Sequence, residues 1–407
     1  MTVVQQPKTK KETMEIVPSK RVASIGAYAF AAVDEKVAEL KEKGITPIDF
    51  GVGDYADPTP EFIRQAAKDN VDRHSTDGYP SYVGSLEYRT AVSEWLKRRF
   101  DVTLDPKTQI ASTIGSKEGV FNFAEAVINP GEYAIVPSPG YPPYKRGTLF
   151  AEGLTHFVAV NHDNKCEYDL ESIPPIVRET ARVMWINTPN SPTGHVASMD
   201  WLKRAYEFCQ EHDIILASDE AYSELYFEDA PHTALELGKD NNYDGIIQFQ
   251  SLSKRSIMTG WRVGWVAGDK RIVDIFKKVK TNIDSGTPNF IQDAAIAALA
   301  DEKHVEDLRV LVKQKRDLIC GALNKLGLPD CTPPASLYIW QKAPEGMTGE
   351  DFATLLIEQA HCVTTPGEWL SDEVDGNNPG AGHVRFAMVP SLEEVKQAAE
   401  RIAAMKL

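Results

Sequence analysis

From about residue 108 to residue 266 the chain repeats one pattern, a short unbroken apolar run followed by a longer stretch of helical periodicity. The runs fall at 110–113, 133–136, 156–160, 182–186, 214–217, 245–249 and 262–266. Runs this short and this apolar suit strands buried on both faces. Strands alternating with helices predict an α/β fold, with a mostly parallel central sheet flanked by crossover helices. Such sheets bind ligands beyond the carboxyl ends of their strands, so the chemistry is expected in the segments that follow each run.

The flanks read differently. Helical patterns cover 32–43, stopped by Gly44, then 60–73 and 85–100, with a turn dense in aromatics (Tyr79, Tyr82) between the last two. Past the repeating region comes a long helical stretch, 289–326, and then strand 336–340, helix 349–360, strand 384–387 and a last helix over 391–405. A chain of 407 residues suits two domains. The expected division is an N-terminal arm with part of a small α+β domain (1–50), a large ligand-binding domain (51–288), and a connecting helix with the rest of the small domain (289–407).

Composition narrows the function classes. With 59 acidic against 44 basic residues the net charge is -15, which opposes non-specific binding to nucleic acid or an anionic membrane. Five cysteines without a CxxC pair indicate reduced thiols and a cytoplasmic protein. Residues 1–15 lack the apolar core of a secretory signal, and no run of eighteen apolar residues occurs. The nine histidines show no metal-ligand spacing.

The most specific stretch is 251–265, Ser-Leu-Ser-Lys-Arg-Ser-Ile-Met-Thr-Gly-Trp-Arg-Val-Gly-Trp. Lys254 can condense with an aldehyde if cations and desolvation hold down its pKa, and Arg255 is the expected neighbour. Ser251, Ser253 and Arg262 suit a phosphate, and an aldehyde together with a phosphate suggests pyridoxal phosphate. A bare Ser-x-Ser-Lys is otherwise a solvated turn. Other strand ends add candidates. Gly115-Ser116-Lys117 opens a helix where backbone amides can hold an anion, or where the glycine and serine only cap it. Tyr141 can stack on a flat heterocycle or tuck into the core. Asn190 and Ser191 sit in a stiff polar loop and can donate to a phenolate oxygen. Asp219 can face a protonated pyridine nitrogen or merely cap a helix, and Tyr222 lies three residues on. Arg385, on an apolar strand, fits a carboxylate unless it points to water.

In order and spacing these motifs resemble the class I/II aminotransferases of fold type I over nearly the whole chain. The resemblance implies a homodimer with shared active sites that uses pyridoxal 5'-phosphate to move an amino group from an L-amino acid to a 2-oxo acid. It implies that Lys254 takes the cofactor aldehyde and moves the proton at the substrate Cα. Asp219 would hold the pyridine nitrogen, Tyr222 the phenolic oxygen, and Tyr141 the ring face. Gly115, Ser116, Lys117, Ser251 and Arg262 would bind the phosphate, with Tyr79 reaching that of the neighbouring subunit. Arg385, Gly53, Tyr28 and Asn190 would line the substrate side. The family's usual loop reads Asn-Pro-Thr-Gly, whereas here Ser191 precedes Pro192, so either Ser191 donates in place of the asparagine or Asn190 swings in.

Within the family, Tyr28-Ala-Phe30, Gly-Tyr-Pro-Ser-Tyr-Val-Gly and Gly-Ser-Lys-Glu-Gly are most similar to the diaminopimelate aminotransferases of lysine biosynthesis, of LL-diaminopimelate or N-succinyl type. Aspartate- and alanine-type transamination, and β-elimination or C-S lyase chemistry on the same fold, remain open alternatives.

Overall fold

The computed structural model describes residue 14, residues 16–25 and residues 31–407. Tyr28 and Phe30 lie outside the described residues. Strands are numbered here in chain order. β1 is Ile48–Asp49, β2 Ile110–Thr113, β3 Tyr133–Ser138, β4 Leu154–Ala159, β5 Ala181–Asn187 and β6 Ile215–Asp219. β7 is Ile246–Ser251, β8 Gly264–Gly268, β9 Tyr338–Lys342, β10 Cys362–Val363, β11 Thr365–Pro366 and β12 His383–Ala387.

The repeating region forms one seven-stranded sheet in the order β2-β8-β7-β6-β5-β3-β4. Its neighbours are parallel except where β8 runs antiparallel to β2 and β7. The α/β sheet expected from the apolar runs is therefore present. β2, β5, β6, β7 and β8 are almost wholly buried, as strands covered on both faces must be. β4, at the edge, is the half-buried exception. Apart from β2, which matches its run, the strand boundaries move by one or two residues from the apolar runs, and polar ends such as Asn187, Asp219 and Ser251 still pair in the ladder.

A second unit joins the antiparallel sheet β11-β12-β9 to the parallel pair β1-β10, so the segment before residue 50 and the C-terminal part build it together. The stretch 289–326 is two helices, Asn289–Ala300 and Lys303–Lys325. The first packs into the core of the large sheet through Ala294, Ala295, Ala298 and Leu299. The second packs into the other core through Leu308, Val312, Ile319 and Leu323, so the chain passes from one core to the other at Asp301–Glu302. Among the described residues no helix is long and apolar enough to cross a membrane, and the five cysteines are free thiols.

Candidate active site

The carboxyl ends of β5, β6 and β7 line up in register, Asn187 opposite Asp219 and Asp219 opposite Phe249. Beyond them lies a cavity of about 730 Å³, closed on the far side by β9, β12 and the loop after β1. Its walls carry Gly53, Ser116, Lys117, Tyr141, Ser191, Asp219, Tyr222, Ser251, Lys254, Arg262 and Arg385, residues scattered over more than 330 positions of sequence.

Lys254 rides a single helical turn, Leu252–Arg255, capped by Ser251, whose hydroxyl accepts from Ser253 N at 3.1 Å. Its Nζ donates to the carbonyl of Gly53 across the cavity. Burial holds its pKa below that of an ordinary lysine; Tyr338 and Asp54 oppose the shift and the cations Arg385 and Arg262 add to it. The expected cation, Arg255, is turned away. It is buried against Trp95, donates to Ala298 O at 2.9 Å and pairs with Glu302 at 2.7 Å. Adjacent residues of a helical turn leave in directions about 100° apart, so only one of the two can face the cavity.

Asp219 ends β6, 4% exposed, with no cation within ion-pair reach among the described residues. Burial pushes its pKa up to about 6, against the opposing donors Tyr144 Oη, 2.8 Å away, and Ala221 N, 3.3 Å away. Tyr144 received no role from the sequence; here its ring stacks on Trp185 with centroids 4.7 Å apart and aims its hydroxyl at the carboxylate. A buried carboxylate in this state calls for a cationic partner in the cavity.

At the other end, helix Ser116–Val127 begins after Gly115 (φ +71°) and has no side-chain cap, so its first amides face the cavity mouth. A Cβ at Gly115 would run into the Arg262 guanidinium. Arg262 itself has φ +56°, and donates to Thr259 O at 2.6 Å and Ile114 O at 3.1 Å. Neither it nor Lys117 meets a carboxylate among the described residues. Uncapped amides, Ser251 and Ser253 with these cations form an anion cradle.

Arg385, on β12, donates to Gly51 O at 2.7 Å, while its Nε is buried without a partner. Its guanidinium carbon lies 4.5 Å from the ring centre of Tyr338, a residue the sequence reading had placed only within a strand. Tyr338 Oη is 3.0 Å from Tyr222 Oη.

Asn190 does not reach this cavity. Its Oδ1 accepts from Thr193 N at 3.2 Å and Thr193 Oγ1 at 2.9 Å, and it lines a separate small space with Tyr168 and Trp201. Ser191 is the residue of that pair that faces inward, because Asn187 Oδ1 accepts from its backbone N at 2.6 Å and fixes the loop. Asn187, quoted in the motif but given no role, shares the wall and donates to Asp219 O at 2.8 Å. Tyr79 is 84% exposed and lies outside the cavity wall.

An anion cradle at one end, an uncompensated carboxylate in the middle and a free guanidinium edge opposite fit the phosphate and protonated ring of pyridoxal phosphate with a substrate carboxylate beside it. Comparison with known proteins agrees. Residues 45–402 match the family described as aminotransferase class I and II. The chain is 40% identical to an LL-diaminopimelate aminotransferase of Aquifex aeolicus over 96% of this chain and 99% of that protein. It is 39% identical to one of Syntrophobacter fumaroxidans over 96% and 99%. Among solved structures, apo-BacF of Bacillus subtilis superposes with a TM-score of 0.88 at 32% identity, over 97% of this chain and 99% of that one. An aspartate aminotransferase double mutant of Thermus thermophilus gives 0.85 at 27%, over 96% and 99%. The chain belongs to the class I and II aminotransferases and is a pyridoxal-phosphate-dependent transaminase.

Proposed function

We propose that this transaminase takes its amino group from LL-diaminopimelate and gives it to 2-oxoglutarate in two half-reactions. The observation that carries the chemistry is the placement of Lys254 Nζ, held at Gly53 in the cavity wall that also carries Asp219 and Arg385. Support for the donor comes from relatives named for LL-diaminopimelate that align over nearly the full chain.

In this reading Arg385 grips the substrate α-carboxylate with the guanidinium edge that has no partner in the protein. A Cβ at Gly53 would strike the Tyr338 hydroxyl, so only glycine lets the backbone come this close at the carboxylate end. Bound here, pyridoxal phosphate supplies an aldehyde that carries the amino group and a ring that accepts electrons. Asp219 stays ionised and holds the ring nitrogen protonated, and Tyr144 holds Asp219. Tyr141 covers the ring, and Tyr222 donates to the phenolic oxygen. Gly115, Ser116, Lys117, Ser251 and Arg262 hold the phosphate. Lys254 would take and hold the proton at the substrate Cα, a task for which its lowered pKa suits it.

A homodimer with shared sites and a reducing, cytoplasmic setting complete the proposal. Tyr79, with most of its ring in water, is the side chain that would reach a partner's phosphate. A panel of amino donors against 2-oxoglutarate tests the substrate. LL-diaminopimelate should exceed its N-succinyl derivative, aspartate and alanine in kcat/KM, and a preference for any of those three would overturn the assignment. Lys254→Ala should abolish turnover; normal turnover by that variant without added amine would sink the mechanism.

A further inference from the structure

Tyr338 opens β9, is 4% exposed, and lies in the cavity wall against Tyr222, Gly53 and Arg385. Its hydroxyl lies 3.0 Å from Tyr222 Oη. Ser191 is near enough to that hydroxyl to draw its pKa down. A Cβ at Gly53 would collide with it, so the same oxygen borders the carbonyl that holds Lys254. The face of the ring lies against the Arg385 guanidinium, 4.5 Å from centroid to Cζ.

A phenol has one proton to give. If Tyr222 donates its proton to the cofactor's phenolic oxygen, as in the function proposed above, its own oxygen can only accept, and Tyr338 is within reach to donate. The two phenols then form a one-way pair, Tyr338 to Tyr222, that points at the cofactor.

We propose that Tyr338 is a positioning residue of this transaminase. Its hydroxyl donates to Tyr222 and so polarises the cofactor's phenolic oxygen, and its ring face holds Arg385 ready for the substrate carboxylate. The charges around it are consistent with this. Burial raises the phenol's pKa, but its surroundings, first of all the cations Arg385 and Lys254, bring it below that of an ordinary tyrosine, which suits Tyr338 as the donor of the pair.

The proposal rests on the reading of Tyr222 as the cofactor's donor, and the test separates the two. In the holoenzyme, the pH at which the visible absorption of the Lys254-bound cofactor changes is followed in wild type, Tyr338→Phe, Tyr222→Phe and the double variant. Phenylalanine keeps the ring against Arg385, so the packing survives. Losing one hydrogen bond behind the phenolic oxygen should move the Tyr338→Phe titration upward by roughly half to one pH unit. It should lower kcat roughly three- to ten-fold and leave the donor KM unchanged. Tyr222→Phe should shift further in the same direction, and the double variant no further than Tyr222→Phe alone, because Tyr338 acts through Tyr222. Tyr338→Leu, which also removes the ring face, should raise the donor KM as well. An unshifted titration for Tyr338→Phe, with Tyr222→Phe shifted, overturns the relay and leaves the transaminase reading intact. Additive shifts in the double variant overturn it too. No shift in either single variant removes the role of Tyr222 on which the relay stands.

Discussion

Asp219 shows what a single buried charge demands. An aspartate whose pKa rises from 3.8 to about 6 on folding binds its proton more readily in the native state, so between those values the native chain carries the extra proton. Its contribution to apoprotein stability is therefore neutral below the unfolded value. It becomes a cost on the order of 2–3 kcal/mol once pH exceeds about 6. Asp219→Asn should raise the thermal midpoint of the apoprotein at pH 8 and leave it unchanged near pH 4, while weakening retention of pyridoxal phosphate on dialysis. A midpoint gain at pH 4 equal to that at pH 8 would contradict the charge argument. Arg385 gives the complementary case. Its Nε has no partner inside the protein, so Arg385→Leu should raise the amino-donor KM about 100-fold, the worth of a charge-assisted pair of about 3 kcal/mol, with the absorption of bound cofactor unchanged. Much of this was legible residue by residue. Lys254, Asp219 and Arg385 each carried a charge at the end of an apolar run, a cost that points to a ligand. Tyr338, Tyr144 and Asn187 were not legible, because a tyrosine or an asparagine near a strand costs little to place and its partner lies far along the chain. Asn190 was misplaced for a similar reason. Which of two neighbouring polar residues faces the ligand depends on the turn geometry that Asn187 and Thr193 impose.

At the scale of elements, the apolar runs located all seven strands of the large sheet, and their order and direction came only with the three-dimensional pairing. Local propensity also failed to separate the helices Asn289–Ala300 and Lys303–Lys325, since both are helix formers and only Asp301–Glu302 interrupts them. The break matters because Glu302 pairs with Arg255 next to the catalytic turn, and His304 Nε2 lies 2.9 Å from Ser256 Oγ. Further along the second helix, Lys315 is fully buried and reaches Asp57 at 2.7 Å, in the loop that carries Gly53 toward the cavity. Asp57→Asn leaves that ammonium buried without a counter-charge. Because Asp57 is itself partly exposed, the expected loss is about 2–3 kcal/mol, below the cost of breaking a fully buried pair. Urea unfolding should show it as a lower midpoint, and an unchanged midpoint would mean that water reaches Lys315.

For the whole molecule, the decisive fact is that two cores meet over one cavity. Where they meet, His195 packs on His162, His162 on His383, and His383 stacks on Trp340, with ring centroids 5.3, 5.4 and 5.1 Å apart in turn. Burial lowers the pKa of all three, His195 to about 4; nearby Lys342 and Lys165 add to the effect, while Asp163 and Glu368 oppose it. A histidine with a depressed native pKa stabilises fully above its unfolded value of 6.5, and that stability is lost as pH falls toward about 4. Replacing His195 with glutamine should therefore flatten the fall in unfolding free energy between pH 6.5 and 4 by an amount on the order of 2 kcal/mol; an equal fall in both proteins would show the cluster to be hydrated. The sequence by itself determined the α/β class, the strand ends that carry polar groups, and the identity of the lysine, because periodicity and the cost of burying charge are local properties of the chain. The tertiary structure alone decided which polar residues share the cavity, that Arg255 turns away while Arg262 and Arg385 flank Lys254, and that Tyr338 backs Tyr222. Those outcomes depend on directions and on contacts across hundreds of residues, which no run of neighbouring side chains encodes.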